Sequence, residues 1–315
     1  MRELQSAKGV TDRRQHEPVL LRELLAAAEP AEGERWIDGT FGFGGHAAAL
    51  LERGCVVLAI DRDPSAAPRA ALLQETWRDR LRFVPGNFAD MAEAARAAGW
   101  QSVDGVLLDL GISSGQLDDP SRGFSFRWDA PLDMRMDPSD PRTAVDLLHE
   151  LDELDLARLF AVTTRPAESR RLARAVVRAR ERGRLRTTGD LVAAIGAARP
   201  SRRRVHPATR AFLALRIAVN DELGSLERAL PAALRLLAPG GRLAVISFQS
   251  EEDRRVKHFL REHRQRGSGA EKISGAPGGF AREARFLPSG EEIARNPRSR
   301  SARLRIGWKE RTEEL

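Results

Sequence analysis

The stretch Arg35-Trp36-Ile37-Asp38-Gly39-Thr40-Phe41-Gly42-Phe43-Gly44-Gly45-His46 decides the fold class. It begins with a short apolar run that ends at Asp38, passes through a turn rich in glycine, and leads into a helical pattern over residues 44–53. A strand, a glycine-rich turn and a helix in this order form the first half of a βαβ unit, in which glycines let the backbone approach a ligand. The sequence therefore predicts an α/β protein with a ligand-binding turn.

Strand and helix signals alternate outward from this turn. Apolar runs predict strands over residues 56–60, 81–84 and 105–109, and helical patterns cover residues 64–77 and 89–98. Strands that are apolar on both faces and separated by helices of this length form parallel sheets through right-handed crossovers. We expect one open, mostly parallel sheet.

The alternation stops after the fourth strand. A loop rich in Gly, Pro, Asp and Met spans residues 115–140, and only helical patterns occur over residues 143–204. Strand signals return at residues 241–247 and 302–308, which predicts a sheet interrupted by a helical insertion. Residues 265–282 are rich in Gly, Ser and Arg, and this composition predicts a mobile segment.

The composition is that of a globular protein with a basic surface. Its 315 residues carry a formal net charge of +7, which favours a polyanionic partner, with nucleic acid ahead of a membrane surface. Cys55 is the only cysteine, so disulfide scaffolds and cysteine-based zinc sites are excluded, and we expect no metal site. Residues 1–15 lack the apolar core of a signal peptide, and no segment approaches the roughly 18 apolar residues of a membrane span. We expect a cytoplasmic protein with a flexible tail over residues 1–15.

Three acids stand where strands of the sheet are predicted to end. Asp38, Asp61 and Asp109 follow the first, second and fourth strands, and ligands of open parallel sheets bind beyond those ends. A carboxylate after the second strand can accept hydrogen bonds from ribose hydroxyls, which suits any adenosine-containing cofactor. Asp38 and Asp109 would repel a pyrophosphate but suit the positive charges of S-adenosylmethionine. We therefore favour S-adenosylmethionine as the cofactor.

A dinucleotide is the main alternative cofactor. Residues 42–47 also satisfy the pattern G-x-G-x-x-G/A, with Asp61 about 20 residues further on. An NAD-dependent oxidoreductase therefore stays open at this point, as does a non-catalytic RNA-binding module. The backbone N–H of His46 is a candidate donor to the ligand, whereas its ring is more typical of packing than of catalysis.

Two segments indicate where a polyanion could bind. Thirteen arginines and three acids lie between residues 165 and 204, and helical spacing places three of these arginines on one face. Residues 122–128 interleave arginines with aromatic rings, which can stack an extruded base or, equally, pack two domains together. The candidate RNA contacts are Arg171, Arg174 and Arg178 in the first segment and Arg122, Phe124, Phe126 and Trp128 in the second.

An ordered series of motifs spans nearly the whole chain. Its members are His16–Leu21, Ile37–His46, Ala59–Pro64, Leu107–Ser114, Gln116–Asp118, Arg122–Phe126, Pro131–Asp137, His206–Arg210, Arg216–Asn220, Leu237–Arg242 and Asn296–Arg298. The series resembles the MraW/RsmH methyltransferases, which modify N4 of a cytosine in the decoding region of small-subunit (16S) ribosomal RNA. The resemblance implies S-adenosylmethionine as cofactor and 16S rRNA or the small ribosomal subunit as partner, with a homodimer left open.

The resemblance also implies an architecture and a set of site residues. It predicts a Rossmann-like class I methyltransferase core over residues 16–114 and 210–315, with an inserted, basic, all-helical domain over residues 115–209. The predicted cofactor contacts are Gly44, Gly45, His46, Asp61, Phe88, Asp109 and Gln116, to which the chemistry of the glycine turn adds Asp38 and Gly42.

Asp109 is the candidate catalytic residue. An exocyclic cytosine amine is a poor nucleophile, so it must be oriented and its proton must be given a route away.

The chain departs from the family at three places. Gly115 stands where a proline is usual, which predicts a looser turn before Gln116. Gln249 stands where a histidine is frequent. Residues 163–168 replace a patch of glycine and glutamate.

Overall fold

The computed structural model describes residues 18–197, 206, 208–267 and 279–311. These residues form a sheet of seven strands in the order β3-β2-β1-β4-β5-β7-β6. The strands are β1 (Arg35–Asp38), β2 (Val56–Asp61), β3 (Leu81–Pro85), β4 (Val103–Asp109), β5 (Leu237–Ser247), β6 (Phe280–Phe286) and β7 (Arg303–Lys309).

Helices flank the sheet and fill the long connection between β4 and β5. They are α1 (Leu21–Ala28), α2 (Gly45–Glu52), α3 (Ala67–Trp77), α4 (Met91–Ala97), α5 (Ser114–Asp118), α6 (Ala144–Glu150), α7 (Glu153–Ala161), α8 (Pro166–Glu181), α9 (Thr188–Ala197), α10 (Ala208–Val219), α11 (Glu222–Leu236), α12 (Ser250–Gly267) and α13 (Gly290–Arg295). Short 3-10 turns precede α3 and α4 and follow α5.

The sheet is mostly parallel, as the sequence predicted. The first five strands in spatial order, β3 to β5, pair in parallel, and β7 pairs antiparallel with both β5 and β6. This strand order with its reversed strand is that of a Rossmann-like class I methyltransferase.

Both faces of the central strands are buried, which explains their continuous apolar runs. Trp36 and Leu107 point into the hydrophobic cluster that also contains α1 and α2, whereas Ile37, Val106 and Leu108 point into the cluster that contains α11. Alternate side chains of a strand point to opposite faces, so a strand buried on both sides needs apolar residues at every position. The two clusters hold the carboxyl ends of β1 and β4 side by side.

A third hydrophobic cluster lies in the connection between β4 and β5. It is formed by residues of α6 to α10 and of the loop before them, from Phe124 to Leu215. Phe212 and Leu215 of α10 belong to it, so the predicted boundary between residues 209 and 210 falls inside a helix that packs with the insertion. The next helix, α11, packs against the sheet instead.

The structure corrects one segment near the carboxyl terminus. Of residues 265–282, predicted to be mobile, residues 265–267 end α12 and residues 280–282 begin β6. β6 pairs only with β7, at the edge of the sheet, and its sequence Phe-Ala-Arg-Glu-Ala-Arg-Phe lacks the apolar run of a central strand. Residues 268–278 of that segment and the predicted tail over residues 1–15 lie outside the described residues.

Candidate functional site

A cavity of about 240 Å³ opens at the carboxyl ends of β1, β2 and β4. This is where an open parallel sheet binds its ligands. Seven of the nine predicted cofactor residues line it, namely Gly42, Gly45, His46, Asp61, Phe88, Asp109 and Gln116. The other two, Asp38 and Gly44, do not line the cavity. They lie behind the residues that form its wall.

The glycine turn is held in place by acids and by its own backbone. Asp38 Oδ1 accepts a hydrogen bond from the Thr40 N–H (3.1 Å), and Asp61 Oδ2 accepts one from the Gly42 N–H (2.6 Å). Gly44 precedes α2 with φ +75°, and a Cβ there would lie 2.6 Å from the Phe41 ring. A side chain at this position would therefore meet both backbone strain and a clash, so Gly44 shapes the turn without facing the cavity.

Asp61 ends β2 with each of its oxygens accepting one backbone hydrogen bond. Oδ2 binds the Gly42 N–H, and Oδ1 binds the Asp63 N–H at 2.9 Å. Burial raises the pKa of this carboxyl above its usual value. Each carboxylate oxygen has a second lone pair, so Asp61 can still accept hydroxyl hydrogen bonds from a ribose.

Asp38 and Asp109 each leave one buried carboxylate oxygen without a hydrogen-bond partner among the described residues. Burial, aided by the charge of Asp61, raises the pKa of Asp38 to about 7. Burial also raises the pKa of Asp109 to about 8, with the charges of Asp38 and Glu252 adding to the effect. An unpaired buried carboxylate is costly, and a cation placed beside it would lower that cost. The site therefore fits a positively charged cofactor such as S-adenosylmethionine.

His46 does not neutralise this excess of acid. Its Nε2 lies 3.1 Å from the Val19 carbonyl oxygen and its Nδ1 lies 3.6 Å from Asp109 Oδ2. Burial lowers the pKa of His46 to about 4, so the ring is neutral at physiological pH. With Nε2 protonated to bind the carbonyl, Nδ1 presents a lone pair to Asp109. The ring is a packed wall residue and supplies no positive charge.

Gln116 is fixed at the wall by a complete capping box, contrary to the looser turn predicted from Gly115. Its Oε1 accepts a hydrogen bond from the Ser113 N–H, and its Nε2 donates to Asp63 Oδ2 at 2.6 Å. Gly115 serves a different purpose, because a Cβ there would lie 2.8 Å from the Phe43 ring. The glycine makes room for an aromatic ring at the mouth of the cavity, and the capping bonds keep the turn tight.

The arginine–aromatic segment of residues 122–128 lies beside the cavity but does not line it. Arg122 binds Asp63 Oδ2 at 2.9 Å and donates to two backbone carbonyls of the insertion. Phe124 is 7% exposed in the third cluster, and the Phe126 ring packs on Phe212. These contacts favour domain packing over base stacking for the first three candidates. Trp128, at 42% exposure, stays accessible.

The predicted basic face of α8 is open to solvent at two of its three arginines. Arg174 and Arg178 are exposed, and Arg171 is half-buried. Among the described residues, the acid that pairs with Arg174 is Glu153, at 3.9 Å. An ion pair this long between exposed groups is weak, so the Arg174 guanidinium can still bind a phosphate.

Several cavity residues were not predicted as site residues. Glu222 and Glu252 line the wall beside Asp109, and Arg298 reaches across from the carboxyl-terminal part to bind Ser114 and Asp118. Glu252 follows β5 in the first turn of α12. Asp61 and Asp109 are the last residues of their strands, whereas Glu252 lies in a helix between two other acids, Glu251 and Asp253, so the strand-end rule does not select it.

Neither a metal centre nor a membrane span occurs in the part of the chain that the structure describes. No group of three or more His, Cys, Asp or Glu side chains there is arranged to hold a metal ion. No helix there combines the length and the apolar character needed to cross a membrane.

Comparisons with known proteins found a matching family model and several similar proteins. The model of the MraW methylase family matches residues 13–310. The ribosomal RNA small subunit methyltransferase H of Methylacidiphilum infernorum is 50% identical over 303 residues, which cover 95% of this chain and 96% of that protein. The enzyme of the same name from Acidiphilium cryptum is 47% identical over 92% of this chain and 96% of its own. Among solved structures, an rRNA methylase from Streptococcus thermophilus aligns with 94% of this chain and 99% of its own at 11% identity, with a TM-score of 0.43.

Proposed function

The chain belongs to the MraW methylase family, and from that premise we propose that it transfers a methyl group from S-adenosylmethionine to N4 of a cytidine in the decoding region of small-subunit ribosomal RNA. The observation that carries the proposal is the unpartnered carboxylate oxygen of Asp109, a residue of the cavity wall, with the buried carboxyl of Asp38 behind that wall. A cationic methyl donor lowers their cost, whereas a pyrophosphate would raise it. Membership of a methylase family also decides against the dinucleotide oxidoreductase.

The donor would be held by the residues at the ends of β1, β2 and β3. Asp61 presents free lone pairs for ribose hydroxyls, the glycine turn brings backbone within reach, and Phe88 offers a ring to the adenine. When bound, S-adenosylmethionine supplies a methyl carbon made electrophilic by its positively charged sulfur. Asp109, which lines the cavity, would then face the junction between donor and acceptor, where its unpartnered oxygen would accept an N–H hydrogen bond and orient the amine.

The insertion would hold the RNA. Exposed arginines on and after α8 give a predominantly basic surface, and Trp128, which is 42% exposed, offers an accessible aromatic ring. Phosphate contacts of this kind supply affinity and make it dependent on salt. The base to be methylated would then be presented to the cavity by extrusion from its stack.

Transfer of labelled methyl groups tests the proposed function. Small subunits and free ribosomal RNA, both from cells that lack this protein, are incubated with the protein and labelled S-adenosylmethionine, and the RNA is digested to nucleosides. We expect the label in N4-methylcytidine. Label in another nucleoside would refute the N4 assignment, and an absence of transfer with both substrates would favour the non-catalytic RNA-binding module.

A further inference from the structure

Glu252 is a buried acid that lines the cavity beyond the end of β5. It lies in the first turn of α12, immediately after β5, and is only 2% exposed. Its Oε2 accepts hydrogen bonds from the Phe248 N–H (3.0 Å) and the Gln249 N–H (3.1 Å). These bonds hold the carboxylate against the cavity wall that Phe248 and Asp109 also form.

The second oxygen of Glu252 is free to act on a ligand. Among the described residues no hydrogen bond reaches Oε1, although the side chain lines the cavity. An oxygen of a side chain that lines the cavity can accept a hydrogen bond from an N–H group that enters the cavity.

The charges around Glu252 leave it without a counter-ion of its own. The groups facing it are Asp109 at the end of β4, Glu222 at the start of α11 and Arg216 on α10. Arg216 is held in a two-pronged ion pair by Glu222, with N–O distances of 2.7 and 2.9 Å. One guanidinium therefore stands against three carboxylates, and the wall favours an occupant that donates hydrogen bonds.

We propose that Glu252 accepts the proton that the target amine loses during methyl transfer. This inference rests on the proposed function. The amine nitrogen gives its lone pair to the new N–C bond, the sulfur keeps the electrons of the broken S–C bond, and one amine proton passes to Glu252 Oε1. Glu252 becomes a neutral carboxylic acid, and ionises again when the product leaves.

The acid strength of Glu252 suits this task. Burial, together with the charge of Glu222, raises its pKa to about 7, and Arg216 opposes that rise. A base works best when its pKa lies near the working pH, because it is then both ionised and able to hold a proton. An ordinary exposed glutamate would be too weak a base.

A purely structural role, the capping of α12, predicts a different response to substitution. In Glu252→Gln the amide oxygen can still accept the Phe248 and Gln249 hydrogen bonds, but the side chain cannot take up a proton. Glu252→Ala removes both properties. Glu251→Gln makes the same chemical change one residue earlier, where the side chain pairs with Arg254 and Arg255 and does not line the cavity.

The test compares single-turnover methyl transfer by the full chain and these variants between pH 5.5 and 8.5. For Glu252→Gln we expect the rate of methyl transfer to fall by about 100-fold or more. Below pH 7 the rise of the rate with pH should become shallower, because the ionisation of Glu252 no longer contributes to it. Binding of S-adenosylmethionine, and of RNA in the presence of S-adenosylhomocysteine, should change by less than about threefold, and Glu251→Gln should match the unmodified protein.

Two outcomes would overturn the inference. One is a Glu252→Gln variant with the original rate and pH profile, and the other is a loss confined to Glu252→Ala, which would leave only the capping role. Both leave the proposed function intact, because the unmodified protein still methylates RNA. If the unmodified protein transfers no methyl group, the proposed function fails first.

Discussion

At the sheet edge the charged groups are buried or half-buried carboxylates, whereas on α8 they are guanidinium groups that are largely exposed to solvent. Asp38, Asp109 and Glu252 share one small region, and burial raises the pKa of each. Arg174 and Arg178 are exposed, and the ion pair near Arg174 is long. A charge acts strongly where the dielectric constant is low and weakly where solvent screens it.

This difference teaches what to expect of each region. At the sheet edge a single carboxylate has no substitute, so losing it should remove a step of the chemistry. On α8 the arginines act by number, so each should contribute a little and salt should weaken them all.

Asp109→Asn should have the largest effect. The amide keeps the size of the side chain but loses its charge at the donor–acceptor junction, and we expect the rate of methyl transfer to fall by about 1,000-fold. The measurement is single-turnover transfer of labelled methyl groups to small subunits or RNA. Asp104→Asn, on the same strand but outside the cavity, should retain the rate within about threefold. A variant at Asp109 with near-normal turnover would remove this residue from the mechanism.

Asp61→Asn should weaken donor binding by about 10- to 100-fold, because it loses charge-assisted hydrogen bonds to the ribose and a restraint on Gly42. Calorimetric titration with S-adenosylmethionine measures this change. Binding of RNA should be unchanged, and Asp79→Asn, an exposed acid next to β3, serves as the matched control. Equal losses of donor and RNA affinity would instead indicate a general loss of folding.

Replacing Arg171, Arg174 and Arg178 together by Gln should weaken RNA binding by about tenfold at moderate salt. The slope of log affinity against log salt should become shallower by about two to three, because each arginine that neutralises a phosphate contributes about one to it. Fluorescence anisotropy with a labelled RNA fragment at several salt concentrations measures both quantities.

The matched control removes the same charge from the sheet layer. Arg22, Arg53 and Arg96 are exposed and lie away from α8. Their replacement by Gln should leave the salt slope nearly unchanged. If both triple variants behave alike, binding reflects overall charge and α8 is not the RNA surface.

The smallest effect concerns stability. The pKa of Asp109 is about 8 in the folded protein and near 4 when the chain is unfolded, so the folded state resists its ionisation. This carboxyl therefore destabilises the fold progressively as the pH rises from about 4 to 8, and does not do so below that range. Asp109→Asn should raise the melting temperature by about 2–4 °C at pH 8 and not at pH 4. Calorimetry without ligands checks this, and Asp104→Asn should show no gain that depends on pH.

The glycine turn and its strands could be predicted because their signals are local. The apolar runs of β1, β2 and β4 and the acids at their ends are continuous in sequence, and parallel pairing brings those ends together. β6 was missed because an edge strand needs no apolar run and depends on a distant partner. Glu252 was missed because it reaches Asp109 only through the pairing of β4 with β5, whose connection runs over residues 110–236.

The loop from Arg122 to Trp128 shows a second limit of sequence reasoning. Its arginines and aromatic rings suit RNA binding as well as packing. Only the fold shows that the Arg122 guanidinium forms an ion pair with Asp63, a residue far away in the sequence. A charge pattern predicts the kind of partner, but it does not tell whether the partner is another molecule or the protein itself.

Asp63 has a consequence for how the two substrates must behave together. Its Oδ2 accepts hydrogen bonds from Gln116 and Arg122, and its backbone N–H binds Asp61. The loop that we propose to bind the ribose and the insertion thus share one carboxylate, and this contact is a physical route by which the two proposed binding equilibria can be coupled. If binding of the donor changes the affinity for RNA by some factor, binding of RNA must change the affinity for the donor by the same factor. Measuring either one in the presence of the other yields the coupling free energy of the ternary complex.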